Sequence, residues 1–272
     1  MHHPDDQTII CAGSGGPLLR VIQRIRPILL CGLVVLCSLM VPSDFSGTAY
    51  AGGPDRTQRK TSRLLFQDSF DGKELRKVWR VHPNSFRIDK GVLIAGQRPD
   101  ANHGAVCDVL VDFKDLNLEF SFLLDGSTGF NVVIDDRKYR GSHAGHICRV
   151  AVRRKRITLG DDKTGNMKKG LFEKRRSPRY RRDKQFRKEI NRLLAGKSTS
   201  VPVKLRTGRW YRMTVRITGE TMQVALDGKP LATLRSAGIG HPTKTDFGFT
   251  VIGRFTRFDD ILARSPDPVR QP

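Results

Sequence analysis

Short segments of alternating polarity dominate the chain from Leu64 onward, and turn-forming Gly, Asp, Asn and Pro residues separate them. In DLNLEFSF every second residue from Leu116 to Phe122 is apolar. Because successive side chains of a strand point to opposite faces, this period of two predicts a half-buried strand. WYRMTVRI alternates in the same way, and TGE separates it from the alternating TMQVAL, which predicts a β-hairpin.

Further strands are predicted at LLFQDSF, FRID, GVLIAG, GFNVVID, RITL, PVKL, LATLR, FGFTVI and FTRFDDILA. About a dozen short strands with few helical signals predict an all-β fold, a two-sheet antiparallel jelly-roll sandwich. No internal repeat interrupts this pattern.

One segment has helical periodicity and carries most of the positive charge. Residues 153–197 contain 18 Lys or Arg and 5 Asp or Glu, a net charge of +13 out of +22 for the whole chain. Ser177-Pro178 is a helix N-cap and first-turn pair, apolar residues recur at helical spacing after it, and Gly196 is a stop signal. We predict a basic loop and helix insertion over 160–198, with an amphipathic helix in it and a mobile loop at MKKGLFEKRR.

The N-terminal segment has the pattern of a secretory signal. Arginines precede the apolar run PILLCGLVVLCSLMV, and the small-x-small sequence AYA follows it. We therefore predict a signal peptide over 1–51, a short linker over 52–63 and an extracytoplasmic location, secreted or periplasmic. The apolar core has about 14 residues, whereas a spanning helix needs about 20, so a permanent membrane anchor is the alternative.

Removal of the signal would leave Cys107 and Cys148 as the cysteines of the mature chain. Each shares parity with apolar neighbours, in AVCDVLV and HICRVAV, so both should face the core. An oxidising compartment would allow a disulfide if the two Cα atoms lie within about 7 Å of each other. Two buried thiols are the alternative.

The composition excludes some classes of protein and leaves several partners open. With 38% apolar and 28% charged residues, the chain is neither a bundle of membrane spans nor a disordered tail. A net charge of +22 attracts polyanions: acidic polysaccharide, wall polymers, an anionic membrane surface or nucleic acid. The absence of nucleic-acid-binding motifs from the sequence disfavours nucleic acid. Nothing in the sequence indicates an oligomeric state, and a loop that only confers solubility is a further alternative for the insertion.

Several of these strings together resemble a known family. They are FQDSFDGKEL followed by Trp79, GVLIAG, GRWYRMTVRITGETMQVALDGKPL and FTRFDDILA. Between about Leu64 and Ala263 the chain resembles the concanavalin A-like lectin/glucanase superfamily, and most closely its secreted bacterial 3-keto-disaccharide hydrolase domains, related in fold to glycoside hydrolase family 16. The resemblance implies a jelly roll over 64–263, followed by a tail over 264–272, with one concave face where saccharides lie.

The sequence departs from the family 16 enzymes at the catalytic motif. Those enzymes carry E-x-D-x-x-E on one strand, where alternation directs the carboxylates into the cleft. No such string occurs here, and no two of the mature chain's glutamates are close enough to share a strand face. Carboxylates from different strands could still meet, so the sequence leaves catalysis open.

The richest polar cluster is FNVVIDDRKYRGSHAGHICR. Asn131 and Asp135 lie opposite the apolar face of GFNVVID, and Arg149 points away from the core face of the next strand. The candidate ligand-binding residues are Asn131, Arg137, Tyr139 and Arg149, which offer hydrogen bonds, cationic forks and an aromatic surface for a sugar. The candidate catalytic residues are Asp135, Asp136 and His143. A solvated strand end and hairpin loop is the alternative.

Metal ions have weaker support. His143 and His146 are too few for a zinc site, and parity with Cys148 predicts that His146 is a hydrogen-bonded histidine at the edge of the core. Asp68 and the pair Asp259-Asp260 could converge on neighbouring terminal strands as a structural calcium site. No other cofactor is expected.

The leading hypothesis is a secreted or periplasmic saccharide-recognising domain, with an acidic polysaccharide as one candidate ligand. The first alternative is a hydrolase of keto-disaccharides or other glycosides. The second is a non-catalytic envelope protein that binds polyanions through its basic insertion. Fold analogy does not choose among them.

Overall fold

Two long strands organise the computed structural model, which describes residues 62–81 and 85–266. The predicted signal peptide and its cleavage site lie outside the described residues. Within these ranges the chain forms thirteen strands and three short α-helices. The strands are β1 Ser62–Asp68, β2 Trp79–Val81, β3 Phe86–Asp89, β4 Val92–Gly96, β5 Ala105–Phe113, β6 Leu116–Asp135, β7 His146–Arg153, β8 Arg156–Asp161, β9 Ser198–Pro202, β10 Trp210–Thr218, β11 Thr221–Leu226, β12 Lys229–Arg235 and β13 Lys244–Pro266. The helices are α1 Leu171–Arg176, α2 Pro178–Arg182 and α3 Lys184–Leu193.

β6 and β13 pair antiparallel along most of their length and contribute to both sheets. The second half of β6 and the first half of β13 form the centre of one sheet, which we call the cleft sheet. Its strand order is β2-β5-β13-β6-β7-β8-β9. Their other halves form the centre of the back sheet, in which β12-β11-β10 extend from β6, and β1 and β4-β3 pair with β13. The strands change sheet near Gly126 and Gly253, where positive φ angles of 82° and 83° suit glycine.

The two halves of these strands face each other across an aromatic core. Phe120 of the back sheet lies 5.1 Å from Phe249 of the cleft sheet, and Phe122 lies 5.0 Å from Phe130, measured between ring centroids. All four are essentially inaccessible to solvent, as the alternating pattern predicted. The fold is thus the predicted antiparallel jelly-roll sandwich.

The strand boundaries differ from the prediction in two places. DLNLEFSF and GFNVVID, predicted as separate strands, are one continuous strand, and so are FGFTVI and FTRFDDILA. Turn-forming Asp and Gly residues between them mark a change of sheet without ending the ladder. PVKL is not a strand beyond Pro202, although Leu205 is buried and its amide donates to the carbonyl of Arg154.

The insertion contains three short helices where one helix and a mobile loop were predicted. Ser177 caps α2 as expected, because its hydroxyl accepts a hydrogen bond from the amide of Tyr180, with Pro178 in the first turn. Asp183 then ends α2 and caps α3 by accepting from the amide of Phe186. The predicted mobile loop contains α1, whose Leu171 is buried.

Of the two alternatives left open for the cysteines, the structure has the two buried thiols. Cys107 and Cys148 are both buried free thiols. They lie on β5 and β7 of the same sheet, with β13 and β6 between them. Three strand spacings place them roughly 14 Å apart, twice the reach of a disulfide. Parity predicted their burial correctly but carries no information on which strands lie between them.

None of the helices in the described ranges is long and apolar enough to cross a lipid bilayer.

Candidate functional site

A cleft of about 480 Å³ opens on the cleft sheet where β6 ends and β13 begins. Two carboxylates and four cationic side chains contribute to its wall. The lining residues are Arg80, Asp135, Arg137, Tyr139, Arg140, Ser142, Ala144, Gly145, Lys169 and Asp246. They come from three strands, the loop between β6 and β7, and the start of the basic insertion.

Asp135 and Asp246 are the paired carboxylates of this cleft. They occupy directly opposite positions on β6 and β13. Directly opposed residues of antiparallel strands have Cβ atoms about 4.5–5.5 Å apart, so the two carboxyl groups are neighbours. The strand pairing itself therefore brings together acids that are separated by more than a hundred residues in the sequence.

Asp246 has a strongly perturbed acidity. Burial, together with the nearby negative charges of Asp135 and Asp108, raises the pKa of Asp246 from 3.8 to about 7, while Arg80 and Arg137 oppose the rise. At neutral pH this carboxyl group is therefore protonated in a large fraction of molecules. Two neighbouring acids, one of which holds a proton near pH 7, are the usual elements of acid-base catalysis.

Arg80 is fixed beside these acids by Asp108. Its Nε lies 2.6 Å from one carboxylate oxygen of Asp108, and Nη2 contacts the other. Gly248 faces Asp108 across the ladder, and a Cβ at Gly248 would lie 2.2 Å from the carbonyl oxygen of Cys107. Only glycine fits there, which leaves the sheet surface beside the ion pair free of side chains.

A β-bulge turns His146 toward the cleft carboxylates. Ile147 and Cys148 are consecutive and both buried, and the register of β6 and β7 shifts between Ile134 and Asp135. His146 therefore does not share the face of Cys148, contrary to the parity prediction. Its Nδ1 lies 2.7 Å from Asp135 Oδ1, and because a carboxylate can only accept, Nδ1 carries the proton.

Asn131 and Arg149 lie on the same sheet but do not line the cleft. Asn131 Oδ1 accepts a hydrogen bond of 3.0 Å from Arg153 Nη2. Arg149 forms an ion pair with Asp162, a fully buried carboxyl group whose pKa is raised by burial despite the guanidinium. Of the predicted ligand-binding residues, the structure brings Arg137 and Tyr139 into the cleft.

Asp136 does not line the cleft. Its carboxylate instead accepts hydrogen bonds from the residues beside it. It accepts hydrogen bonds from Thr243 Oγ1 at 2.6 Å, the amide of Lys138 at 2.8 Å and His241 Nε2 at 3.0 Å. Burial raises the pKa of Asp136, but these hydrogen bonds outweigh burial and leave it below 3.8. The predicted catalytic role of Asp136 therefore has no geometric support.

The loop from Asp136 to Gly145 forms one wall of the cleft and is tightly closed. The amide of Asp136 donates to the carbonyl of Gly145 at 3.0 Å. Gly145 has a φ of 79°, and a Cβ there would lie 2.3 Å from the carbonyl oxygen of Asp136. Glycine is needed at this position, and the closure fixes the backbone of the intervening residues.

The basic insertion begins at the cleft wall. Its residue Lys169 lines the cleft, and the amide of Lys169 donates to the carbonyl of Gly141 at 3.0 Å. The exposed His143 stacks on Phe172 of α1 with ring centroids 4.2 Å apart. Local desolvation and the charges of His146 and Arg176 lower the pKa of His143. His143 thus contacts the insertion and does not line the cleft, so its predicted catalytic role gains no support.

The remaining predicted site residues have other partners. Tyr139 lies between the ring of His241, 5.0 Å away, and the ammonium of Lys163, 5.3 Å away. Asp68 accepts from the indole of Trp79 at 2.8 Å. Asp259 accepts from the amide of Asp260 at 2.7 Å. Across residues 62–81 and 85–266, no group of three or more His, Cys, Asp or Glu side chains is arranged to hold a metal ion.

Sequence reasoning missed five polar residues of the cleft: Arg80, Arg140, Ser142, Lys169 and Asp246. A signal existed for two of them. Asp246 alternates with Phe247 and Phe249, and Arg80 lies between Trp79 and Val81, so both point away from the core. The other three lie in loops, where alternation gives no orientation.

Comparisons with known proteins agree with this architecture. A family model described as the 3-keto-alpha-glucoside-1,2-lyase-like domain matches residues 65–262. Porphyranase B from Zobellia galactanivorans is 10% identical over 75% of this chain and 92% of that chain, with a TM-score of 0.52. The laminarinase from Rhodothermus marinus is 13% identical over 75% and 97%, with a TM-score of 0.51.

The laminarinase from Flavobacterium sp. UMI-01 is 11% identical over 74% of this chain and 99% of that chain, with a TM-score of 0.50. Identities this low show the shared fold alone. A search of curated proteins gives no match. Because the family model spans more than half of the sequence, the chain belongs to the 3-keto-alpha-glucoside-1,2-lyase-like domain family.

Proposed function

We propose that the cleft binds a 3-keto-glycoside and cleaves its glycosidic bond by elimination, with Asp135 as the base and Asp246 as the acid. The observation that carries this proposal is the direct pairing of the two acids on β6 and β13, with the pKa of Asp246 raised to about 7. The family name supplies the substrate class, and the jelly-roll relatives are consistent with a saccharide ligand.

The proposed chemistry follows from a ketone at C3 of the sugar. The carbonyl acidifies the neighbouring C2 proton, which Asp135 removes, and the electron pair moves onto the C3 oxygen as an enolate. The enolate then reforms the ketone, a C1=C2 double bond forms and the C1–O bond breaks. Asp246 donates its proton to the leaving oxygen, so the second sugar departs as an alcohol.

Two neighbouring groups support these roles. His146 donates a hydrogen bond from Nδ1 to Asp135 and thereby orients that carboxylate. Arg80 lies close enough to Asp135 and Asp246 to interact with both charges, and it could stabilise the enolate oxygen. A positioned cation at a developing negative charge is a major source of rate enhancement.

Hydrolysis remains the alternative chemistry in the same cleft. In that case water would add at C1, and the product would be a 3-keto-sugar without a double bond. The two reactions use the same acid, but the base removes the C2 proton in elimination and activates water in hydrolysis. Analysis of the products therefore distinguishes the two reactions. The sequence lacks the family 16 carboxylate motif, which is why elimination is preferred here.

The test is turnover of 3-keto-sucrose and 3-keto-trehalose, with sucrose and trehalose as controls. Elimination should give a conjugated enone that absorbs ultraviolet light, and turnover should fall as the pH rises above about 7, where Asp246 loses its proton. In deuterated water, D135N should lose both C2 hydrogen exchange and cleavage, each by roughly a hundred-fold or more. D246N should keep C2 exchange and lose cleavage.

D125N is the matched control, because Asp125 lies on β6 far from the cleft and pairs with Arg257. It should behave as the unaltered protein. Absence of turnover on these neutral keto-disaccharides and on 3-keto-glycosides that carry a carboxylate or a sulfate, or cleavage that survives D135N, would contradict the proposed reaction.

A second candidate function is non-catalytic binding of polyanions through the basic insertion. The observation that favours it is the series of exposed cations on α2 and α3, including Arg181 and Arg182. Dense exposed cations bind polyanions with an affinity that falls steeply with salt. An extracytoplasmic location, proposed from the N-terminal pattern, would give either function access to external glycans.

A further inference from the structure

Three cations of the cleft wall form no salt bridge with any residue that the structure describes, although Arg137 lies close enough to Asp246 to interact with its charge. Arg137 and Arg140 come from the β6–β7 loop, and Lys169 comes from the start of the insertion. Within the described residues, none of the three forms a salt bridge, whereas Arg80 of the same cleft is paired with Asp108. Cations that line one cleft repel one another, so an anion bound among them would be stabilised.

A buried hydroxyl in the same wall is also without a partner. Ser142 is 2% exposed and lines the cleft, and among the described residues its Oγ has no hydrogen-bond partner. A buried polar atom left unpaired is destabilising, and a ligand oxygen would remove this cost by accepting its hydrogen bond. This second observation points to a ligand independently of the charges.

The backbone fixes these groups relative to one another. Ser142 forms a β-bridge with Lys168, and the amide of His143 donates to the carbonyl of Met167 at 2.7 Å. With the Lys169 amide bound to Gly141, the segment that carries Lys169 is tied to the loop that carries Arg140 and Ser142. Backbone hydrogen bonds therefore hold together the two segments that carry the site residues.

We propose that Arg137, Arg140, Lys169 and Ser142 form a subsite for an oxyanion, so that the substrate is an acidic sugar carrying a carboxylate or a sulfate group. Guanidinium groups bind both oxyanions in a bidentate manner, and the serine hydroxyl supplies a further donor. The inference rests on the proposed function for the reacting sugar ring, and it adds the class of substituent that the ring carries.

Isothermal titration calorimetry at constant ionic strength tests the subsite with four probes: glucose, glucuronate, sulfate and chloride. Glucuronate or sulfate should bind, and glucose and chloride should bind at least ten-fold more weakly. The double variant R140Q/K169Q should weaken the bound anion roughly ten-fold or more, as expected for lost charge-assisted hydrogen bonds. Preference for glucuronate identifies a uronate substrate, and preference for sulfate identifies a sulfated one.

The matched control is R181Q/R182Q, which removes the same charge from α2. It should leave anion affinity within about two-fold, because long-range charge contributes little at physiological ionic strength. Equal losses in the two double variants would overturn the subsite and support general polyanion binding by the insertion. Glucuronate and sulfate binding no better than glucose and chloride would also overturn it.

The two proposals fail separately. Anion binding without turnover of any keto-glycoside would contradict the proposed reaction and leave the subsite in place. Turnover of neutral keto-disaccharides without any preference for an anion would contradict the subsite and leave the proposed reaction in place.

Discussion

At the scale of single residues, the proposed acid Asp246 lowers the stability of the folded protein. Asp246 is 2% exposed and faces Asp135 directly across the ladder. Its carboxyl group is easily accommodated when protonated and poorly accommodated when charged, because burial and the neighbouring acids both disfavour the anion. A residue chosen only for stability would be neutral at this position.

We therefore predict that D246N stabilises the protein in a pH-dependent manner. The folded pKa of about 7 exceeds the ordinary 3.8, so the folded state binds the proton more tightly than the unfolded state does. The stability contributed by this proton is present below about pH 4 and is lost as the pH rises to about 7. The advantage of D246N should grow over that range by at most about 1.4 kcal/mol per pH unit and then level off.

Urea unfolding of D246N and the unaltered protein between pH 4 and pH 8 measures this difference. D125N serves as the control, since Asp125 is exposed and its variant should show no comparable growth. A difference for D246N that stays constant with pH would show that its carboxyl group is not buried beside other acids in solution.

At the scale of elements, alternation predicted the strands and failed at their ends. Leu116 to Phe122 and Tyr211 to Ile217 are buried at every second position, as expected. The bulge before Cys148 reverses parity within one residue, so the orientation of His146 could not be inferred from its neighbours. Likewise, Asp135 lies opposite Asp246 because β6 pairs with β13. Contacts between residues far apart in the sequence decide that pairing.

The insertion offers a test of an element's local stability. Asp183 caps α3 by accepting from the amide of Phe186, and it also pairs with Arg179 at 3.2 Å. D183A should destabilise α3 by about 1 kcal/mol, because the first turn loses its cap. Amide hydrogen exchange in α3 should become roughly five-fold faster while exchange in β6 and β13 stays unchanged.

Q185A is the comparison for this variant. Gln185 lies in the first turn of α3 and is exposed, and alanine is a better helix former. Equal acceleration in D183A and Q185A would mean that the cap does not hold the helix.

At the scale of the whole molecule, stability comes from the core and requires no cross-link. Cys107 and Cys148 lie in the aromatic core, and burial raises the pKa of both thiols far above the ordinary value. A buried, neutral thiol is a poor nucleophile and a poor partner for oxidation. The protein should therefore keep both as thiols whichever compartment it occupies.

We predict that iodoacetamide labels neither Cys107 nor Cys148 in the native protein and labels both in urea without reductant, as mapped by mass spectrometry of peptides. The thermal midpoint should be the same with and without reductant. Labelling in urea that requires prior reduction would show that a disulfide exists, and a parallel reduced sample provides the reference.

The shared long strands have a consequence for synthesis. Leu118 pairs with Ala263, and Asp135 with Asp246, so the middle of each layer is completed by β13, which follows every other described strand in the sequence. Contacts this distant in sequence slow folding, and a chain that lacks its final thirty or so residues has lost all of β13, so that neither layer is closed. Truncation at the carboxyl end would accordingly remove a central partner from the sandwich and not an edge, and the shortened chain should not reach the native state at all.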